Sequence, residues 1–62
     1  MTQWKTILKS YIGSYSHEVD EVLHKALKLT KKDALTNLVL AMSRAKFKRT
    51  AYQFERIIIR II

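Results

Sequence analysis

The sequence predicts an all-α protein, a small bundle of three to four short helices in one domain, residues 1–62. Apolar residues recur at the three- and four-residue spacing of a helix face, and the alternation of a surface strand is absent. There is no proline and only one glycine, so few positions interrupt a helix. Because the chain has no cysteine, neither a disulfide nor a thiolate metal site can reinforce so small a core. We therefore expect close helix packing and a homodimer.

The first helix is predicted over residues 3–13. Its apolar face consists of aromatic and aliphatic residues at helical spacing: Trp4, Ile7, Leu8, Tyr11, Ile12 and Tyr15. Gly13, followed by Ser14 and Ser16, marks its end. These residues are expected to pack into the core.

The second helix is predicted over residues 17–29 and the third over residues 31–46. Ser16 and Thr30 are suited to cap them, and Asp33 has the spacing of a capping box with Thr30. The apolar face of the second helix consists of Val19, Val22, Leu23, Ala26 and Leu27. The apolar face of the third helix consists of Leu35, Leu38, Val39, Met42 and Ala45.

A fourth helix is predicted over residues 51–61, because the apolar stripe changes direction in the second half of the chain. At 100° per residue, the stripe of the third helix points roughly 130° away from the next one. That next stripe is formed by Phe47, Phe54, Ile58 and Ile61. Thr50 and Gln53 have the spacing of a capping box and favour a break at residues 46–50. No breaker residue excludes the alternative, one long helix from Thr30 onward that serves two partners.

Six of the seven net positive charges lie in the second half of the chain. Four lysines against three acids leave +1 in residues 1–29, whereas eight lysines and arginines against two acids leave +6 in residues 30–62. A field of one sign attracts a polyanion, whether nucleic acid, an anionic membrane or an acidic protein. The candidate nucleic-acid-binding residues are basic and polar: Lys31, Lys32, Thr36, Asn37, Arg44, Lys46, Lys48, Arg49, Arg56 and Arg60.

Two arrangements would present these side chains to nucleic acid. In the first, one face of the last helix carries Arg49, Gln53, Arg56 and Arg60, and arginine binds phosphate oxygens bidentately. An ordinary solvated helix face is the alternative. In the second, helices two and three form a helix-turn-helix that reads bases from the start of helix three. The short connection without glycine is equally typical of any tightly joined helix pair.

The C-terminal segment is unusually apolar, with five isoleucines in residues 57–62 that cannot all face one small core. Leu40 falls on the polar side of the third helix and suggests a covered surface. We predict dimerisation through the Ile-rich last helix, with an interface of Leu40, Phe54, Ile57, Ile58, Ile61 and Ile62. Phe47 lies between lysines, where it would stack on a base, insert into a membrane surface or fill the corner between two helices.

Catalysis, cofactor binding and metal binding are not expected. There is no cysteine nucleophile, no recognisable triad and no glycine-rich phosphate loop. One stripe of the second helix carries zinc-ligand types at His17, Asp20, Glu21 and His24, but it should face water and lacks groups to orient ligands. No apolar stretch approaches the roughly 20 residues of a membrane span, and no secretory signal pattern is present. A cytoplasmic location is expected.

Three functions fit these observations. The favoured hypothesis is a small basic regulator, transcriptional or of a mobile element, that binds DNA as a homodimer. The alternative is a helical inhibitor or antirepressor that docks on a larger, acidic protein, with the positive field steering association. A further alternative is a membrane-active cationic peptide, similar to leaderless bacteriocins in being short, basic and free of cysteine. Against it, the chain has five acids, one tryptophan and a nearly neutral first half.

Overall fold

The computed structural model describes residues 3–62, which form four α-helices joined by short turns. Helix α1 spans Gln3–Tyr11, α2 His17–Leu27, α3 Lys31–Arg44 and α4 Lys48–Ile61. The described part of the chain contains no strand. The predicted all-α class is confirmed, and residues 45–47 interrupt the single long helix considered as an alternative.

Gly13 ends α1 by turning the chain toward α2. Its φ of +87° lies in the left-handed region that favours glycine. The Gly13 N–H donates to Oδ1 of Asp20 at 3.1 Å, and the Ser14 N–H donates to the carbonyl of Tyr11 at 3.1 Å. Asp20 therefore holds the α1–α2 turn against the first turn of α2.

Thr30 caps α3 as predicted. Its Oγ1 accepts a hydrogen bond from the N–H of Asp33 at 3.2 Å, and Thr30 itself is extended. Ser16 also occupies the predicted N-cap of α2 in an extended conformation, although its side chain makes no capping hydrogen bond. Three residues, 28–30, connect α2 to α3.

Helix α4 begins at Lys48, three residues earlier than predicted, and Phe47 is its N-cap. Ala45 and Phe47 are both extended, which breaks the chain of helical hydrogen bonds between α3 and α4. The N–H of Ala51 donates to the carbonyl of Phe47 at 3.2 Å, so Thr50 is drawn into the first turn. The prediction that Thr50 caps this helix is wrong, because side-chain spacing does not fix where the first backbone hydrogen bond forms.

Two threonine substitutions test these cap assignments. Thr30→Ala is expected to lower the free energy of unfolding by about 1 kcal/mol, because it removes the acceptor that satisfies a free N–H of α3. Thr50→Ala is the matched control, and its effect is expected to stay within about 0.5 kcal/mol because it removes no cap. Urea denaturation followed by circular dichroism measures both. Equal losses at the two positions would contradict the assignment.

The core receives side chains from all four helices. Each helix packs against the next, and α4 returns to pack against α1. The buried residues are Leu8, Val19, Leu23, Ala26, Ala34, Leu38, Phe54, Ile57, Ile58 and Ile61. Four of these ten belong to α4, which makes that helix the largest contributor to the core.

Two residues of the predicted apolar stripes, Val39 and Phe47, are exposed in the structure. Val39 is exposed because α3 turns Ala34 and Leu38, one helical turn apart, toward the core. Phe47 is 70% exposed because it lies in the extended connection before α4, so it does not fill the corner between α3 and α4. The prediction that Val39 packs in the core is wrong, and of the three roles considered for Phe47 the structure contradicts only the filling of the corner.

Candidate nucleic-acid interface

Helix α4 separates an apolar side from a basic side. Arg49, Arg56 and Arg60 are exposed and lie at spacings of seven and four residues, so they follow one side of the helix. Together with Tyr52 and Gln53 they occupy an arc of about 100°, on the opposite side of the helix from Phe54, Ile58 and Ile61. The rise from Arg49 to Arg60 is about 17 Å at 1.5 Å per residue. The residues predicted to share one face of the last helix, Arg49, Gln53, Arg56 and Arg60, therefore form a continuous stripe.

Tyr52 adds an aromatic ring to this stripe. The residue is 57% exposed, and the guanidinium of Arg56, one turn later, lies 5.8 Å from the ring centre. That distance allows a cation–π contact, which restrains both side chains at the surface. Tyr52 was not among the candidate site residues, although its spacing of four from Arg56 was the signal that could have found it.

The end of α1 and the turn after it supply two further rings. Tyr11 and Tyr15 stack with centroids 5.8 Å apart and planes 13° from parallel. Nη1 of Arg60 donates to the Tyr11 hydroxyl at 3.2 Å, and its guanidinium lies 5.7 Å from the Tyr11 ring centre. Both tyrosines are half-buried against the core, as the sequence indicated. Their contact with α4 also ties the basic stripe to α1.

A groove runs along this surface between α4 and the turn that carries Tyr15. It has a volume of about 240 Å³ and is lined by Tyr15, Arg49, Tyr52, Gln53 and Arg56. None of its lining residues is acidic. We call the groove together with Tyr11 and Arg60 the tyrosine–arginine face. It offers guanidinium donors for anions, an amide for polar edges and aromatic rings for planar groups.

The other predicted binding residues are distributed along α3 and the connection to α4. Lys31 lines a second groove of about 440 Å³, where it is joined by Arg60 and by apolar residues of α1 and α4. Lys32, Arg44, Lys46 and Lys48 are exposed but line neither groove. The structure thus brings Arg49, Arg56 and Arg60 into one surface, and leaves most of the lysines as separate charges.

The two polar residues predicted to read bases from α3 are poorly placed to do so. The Thr36 hydroxyl donates to the carbonyl of Lys32 at 3.1 Å, inside the helix itself. Asn37 is half-buried, and its Nδ2 is buried without a hydrogen-bond partner in the structure. A recognition helix needs such side chains directed at base edges, so α3 supports base reading less well than α4 supports phosphate binding.

The polar stripe of α2 has structural contacts rather than the geometry of a metal site. Nε2 of His17 lies 3.2 Å from Oε1 of Glu21 in an exposed pair, and Asp20 accepts from Gly13. Within residues 3–62, no group of three or more histidine, aspartate or glutamate side chains is placed to hold a metal ion.

The residues of the predicted subunit interface fall into a buried group and an exposed group. Phe54, Ile57, Ile58 and Ile61 lie in the chain's own core, so their apolar character needs no second subunit to explain it. Leu40 and Ile62 are exposed, and Ile59 joins them as an exposed isoleucine of α4. Of the predicted interface residues, only Leu40 and Ile62 are therefore exposed to a second chain.

Comparison with known proteins does not identify a family for this chain. No family model matches the chain, and neither a curated protein nor a solved structure matches it significantly. Over residues 3–62, none of the four helices has the length and hydropathy of a bilayer-crossing segment.

Proposed function

We propose that this chain is a small, non-enzymatic regulator that binds nucleic acid, with DNA as the expected ligand, through the tyrosine–arginine face. The observation that carries the proposal is the stripe of Arg49, Arg56 and Arg60 along one side of α4, beside a groove with no acidic lining residue. Guanidinium groups bind phosphate oxygens bidentately, and such contacts position a protein on nucleic acid without reading its sequence.

The distribution of charge supports the same ligand. Arg44, Lys46 and Lys48 surround the start of α4 and strengthen the positive field at the Arg49 end of the stripe. Glu55 is the only acid of α4, and it lies about 100° around the helix from Arg56. Within α4, a strand of phosphates along the stripe would therefore meet little opposing charge.

Salt dependence of binding to a labelled random DNA duplex tests the proposal. If three arginines neutralise three phosphates, the logarithm of the affinity falls with a slope of about −2.7 against log salt. Raising the salt from about 50 to about 200 mM should then weaken binding about 40-fold in fluorescence anisotropy. No binding at either salt, or binding that does not depend on salt, would contradict the proposal. Light scattering on the same sample measures whether the chain is the expected homodimer.

A second candidate function is an inhibitor or antirepressor that docks on a larger protein. It is favoured by the exposed apolar side chains of Leu40, Ile59 and Ile62. A pull-down from a nuclease-treated host lysate separates the two functions, because a partner captured through nucleic acid is lost and a directly bound protein remains. The same three residues also suit a homodimer, which the light-scattering mass identifies.

A further inference from the structure

We infer that the tyrosine–arginine face prefers single-stranded to duplex nucleic acid, with an unpaired base stacking in the groove that Tyr15 and Tyr52 line. The inference rests on the proposed function and specifies its ligand. Phosphate contacts alone would require only the arginines. Tyr52 requires a further explanation, because its exposed ring places planar apolar surface within a charged one.

Tyr52 offers the more accessible of the two rings. The residue is 57% exposed, whereas Phe54, the other aromatic residue of α4, is buried. Tyr15 is fixed by its nearly parallel stack on Tyr11, so a base that packs against it would order little additional protein. In a duplex the faces of the bases are covered by their neighbours, whereas an unpaired base exposes a face that can stack on an aromatic side chain.

The groove also supplies the polar partners that a nucleotide needs. Arg49 and Arg56 line it together with the two tyrosines, so phosphates on either side of a stacked base would meet guanidinium groups. Gln53 contributes an amide that both donates and accepts hydrogen bonds, which suits the exposed edge of any base. This combination of a basic track with aromatic rings is typical of proteins that bind single strands with little sequence preference.

Direct comparison of one labelled 12-nucleotide DNA strand with its own duplex tests the inference. In fluorescence anisotropy at about 100 mM salt, the strand is expected to bind about tenfold more tightly than the duplex, as one stacked base would provide. Equal or tighter binding to the duplex would overturn the single-strand preference and leave the proposed function in place. If the chain binds neither the strand nor the duplex, both the single-strand preference and the proposed function are overturned.

Substitutions of Tyr52 locate the stacking. Tyr52→Ala is expected to weaken strand binding about tenfold and duplex binding by a clearly smaller factor, since both ligands lose the restraint on Arg56 but only the strand loses the stacked base. Tyr52→Phe keeps the ring and should keep the preference for the strand. Tyr52 is exposed, so circular dichroism should show both variants folded. Unchanged strand binding by Tyr52→Ala, or equal losses for the two ligands, would overturn the placement of a base in this groove.

Discussion

Ile57→Ala is expected to lower the free energy of unfolding by about 2–5 kcal/mol, whereas Ile59→Ala is expected to change it by less than about 0.5 kcal/mol. Both residues are isoleucines of α4, only two positions apart. Ile57 is completely buried among residues of the core, and Ile59 is 63% exposed. The same loss of side-chain atoms leaves a cavity at the first position and only exposes the helix surface at the second.

The expected loss at Ile57 is large compared with the stability available. A domain of this size has a total stability of about 3–9 kcal/mol at 0.05–0.15 kcal/mol per residue, so Ile57→Ala would leave a large unfolded fraction if the total stability lies in the lower half of this range. Ile57→Val removes one methyl group and should cost about 0.5–1.5 kcal/mol, which urea denaturation can measure in a folded sample. A loss at Ile59 equal to that at Ile57 would show that α4 buries a different face or that a second copy covers Ile59. Dependence of the midpoint on protein concentration distinguishes these causes.

The helical faces were predictable because local spacing determines them. Leu8, Val19, Leu23 and Leu38 all lie on faces that the three- and four-residue spacing identified, and all four are buried. The limits of α4 were not predictable in the same way. Two extended residues, Ala45 and Phe47, set its start, and neither is a type that breaks helices by itself.

The candidate site was only partly visible in the sequence, for a related reason. The common side of Arg49, Arg56 and Arg60 follows from their positions in one helix. The contact of Arg60 with Tyr11 joins residues 49 positions apart, so it depends on how α1 packs against α4. Packing also decides which isoleucines are buried and which are exposed. Ile57, Ile58 and Ile59 are consecutive, yet the first two are buried and the third is exposed.

Combined replacement of Arg49 and Arg56 by alanine is expected to weaken binding to nucleic acid at least about 100-fold at low salt. Each charge-assisted hydrogen bond contributes about 1.5–3 kcal/mol, and the two arginines line the same groove. Their loss should also reduce the salt slope by about two, because each arginine would neutralise one phosphate. Binding to unrelated sequences should fall by the same factor, since phosphate contacts carry no sequence information. Anisotropy titrations at several salt concentrations measure the affinity and the slope together.

Lys25→Ala combined with Lys28→Ala is the matched control for this prediction. Both lysines are exposed at the end of α2 and line neither groove, yet their removal lowers the net charge from +7 by the same two units. The control should therefore lose only the long-range attraction that depends on net charge. Its affinity should fall a few-fold, and the slope of log affinity against log salt should change little. Equal losses in the two double variants would mean that binding follows the overall charge of the chain. A loss confined to the arginine variant would require a defined phosphate-binding surface, and α4 would then be the helix that provides it.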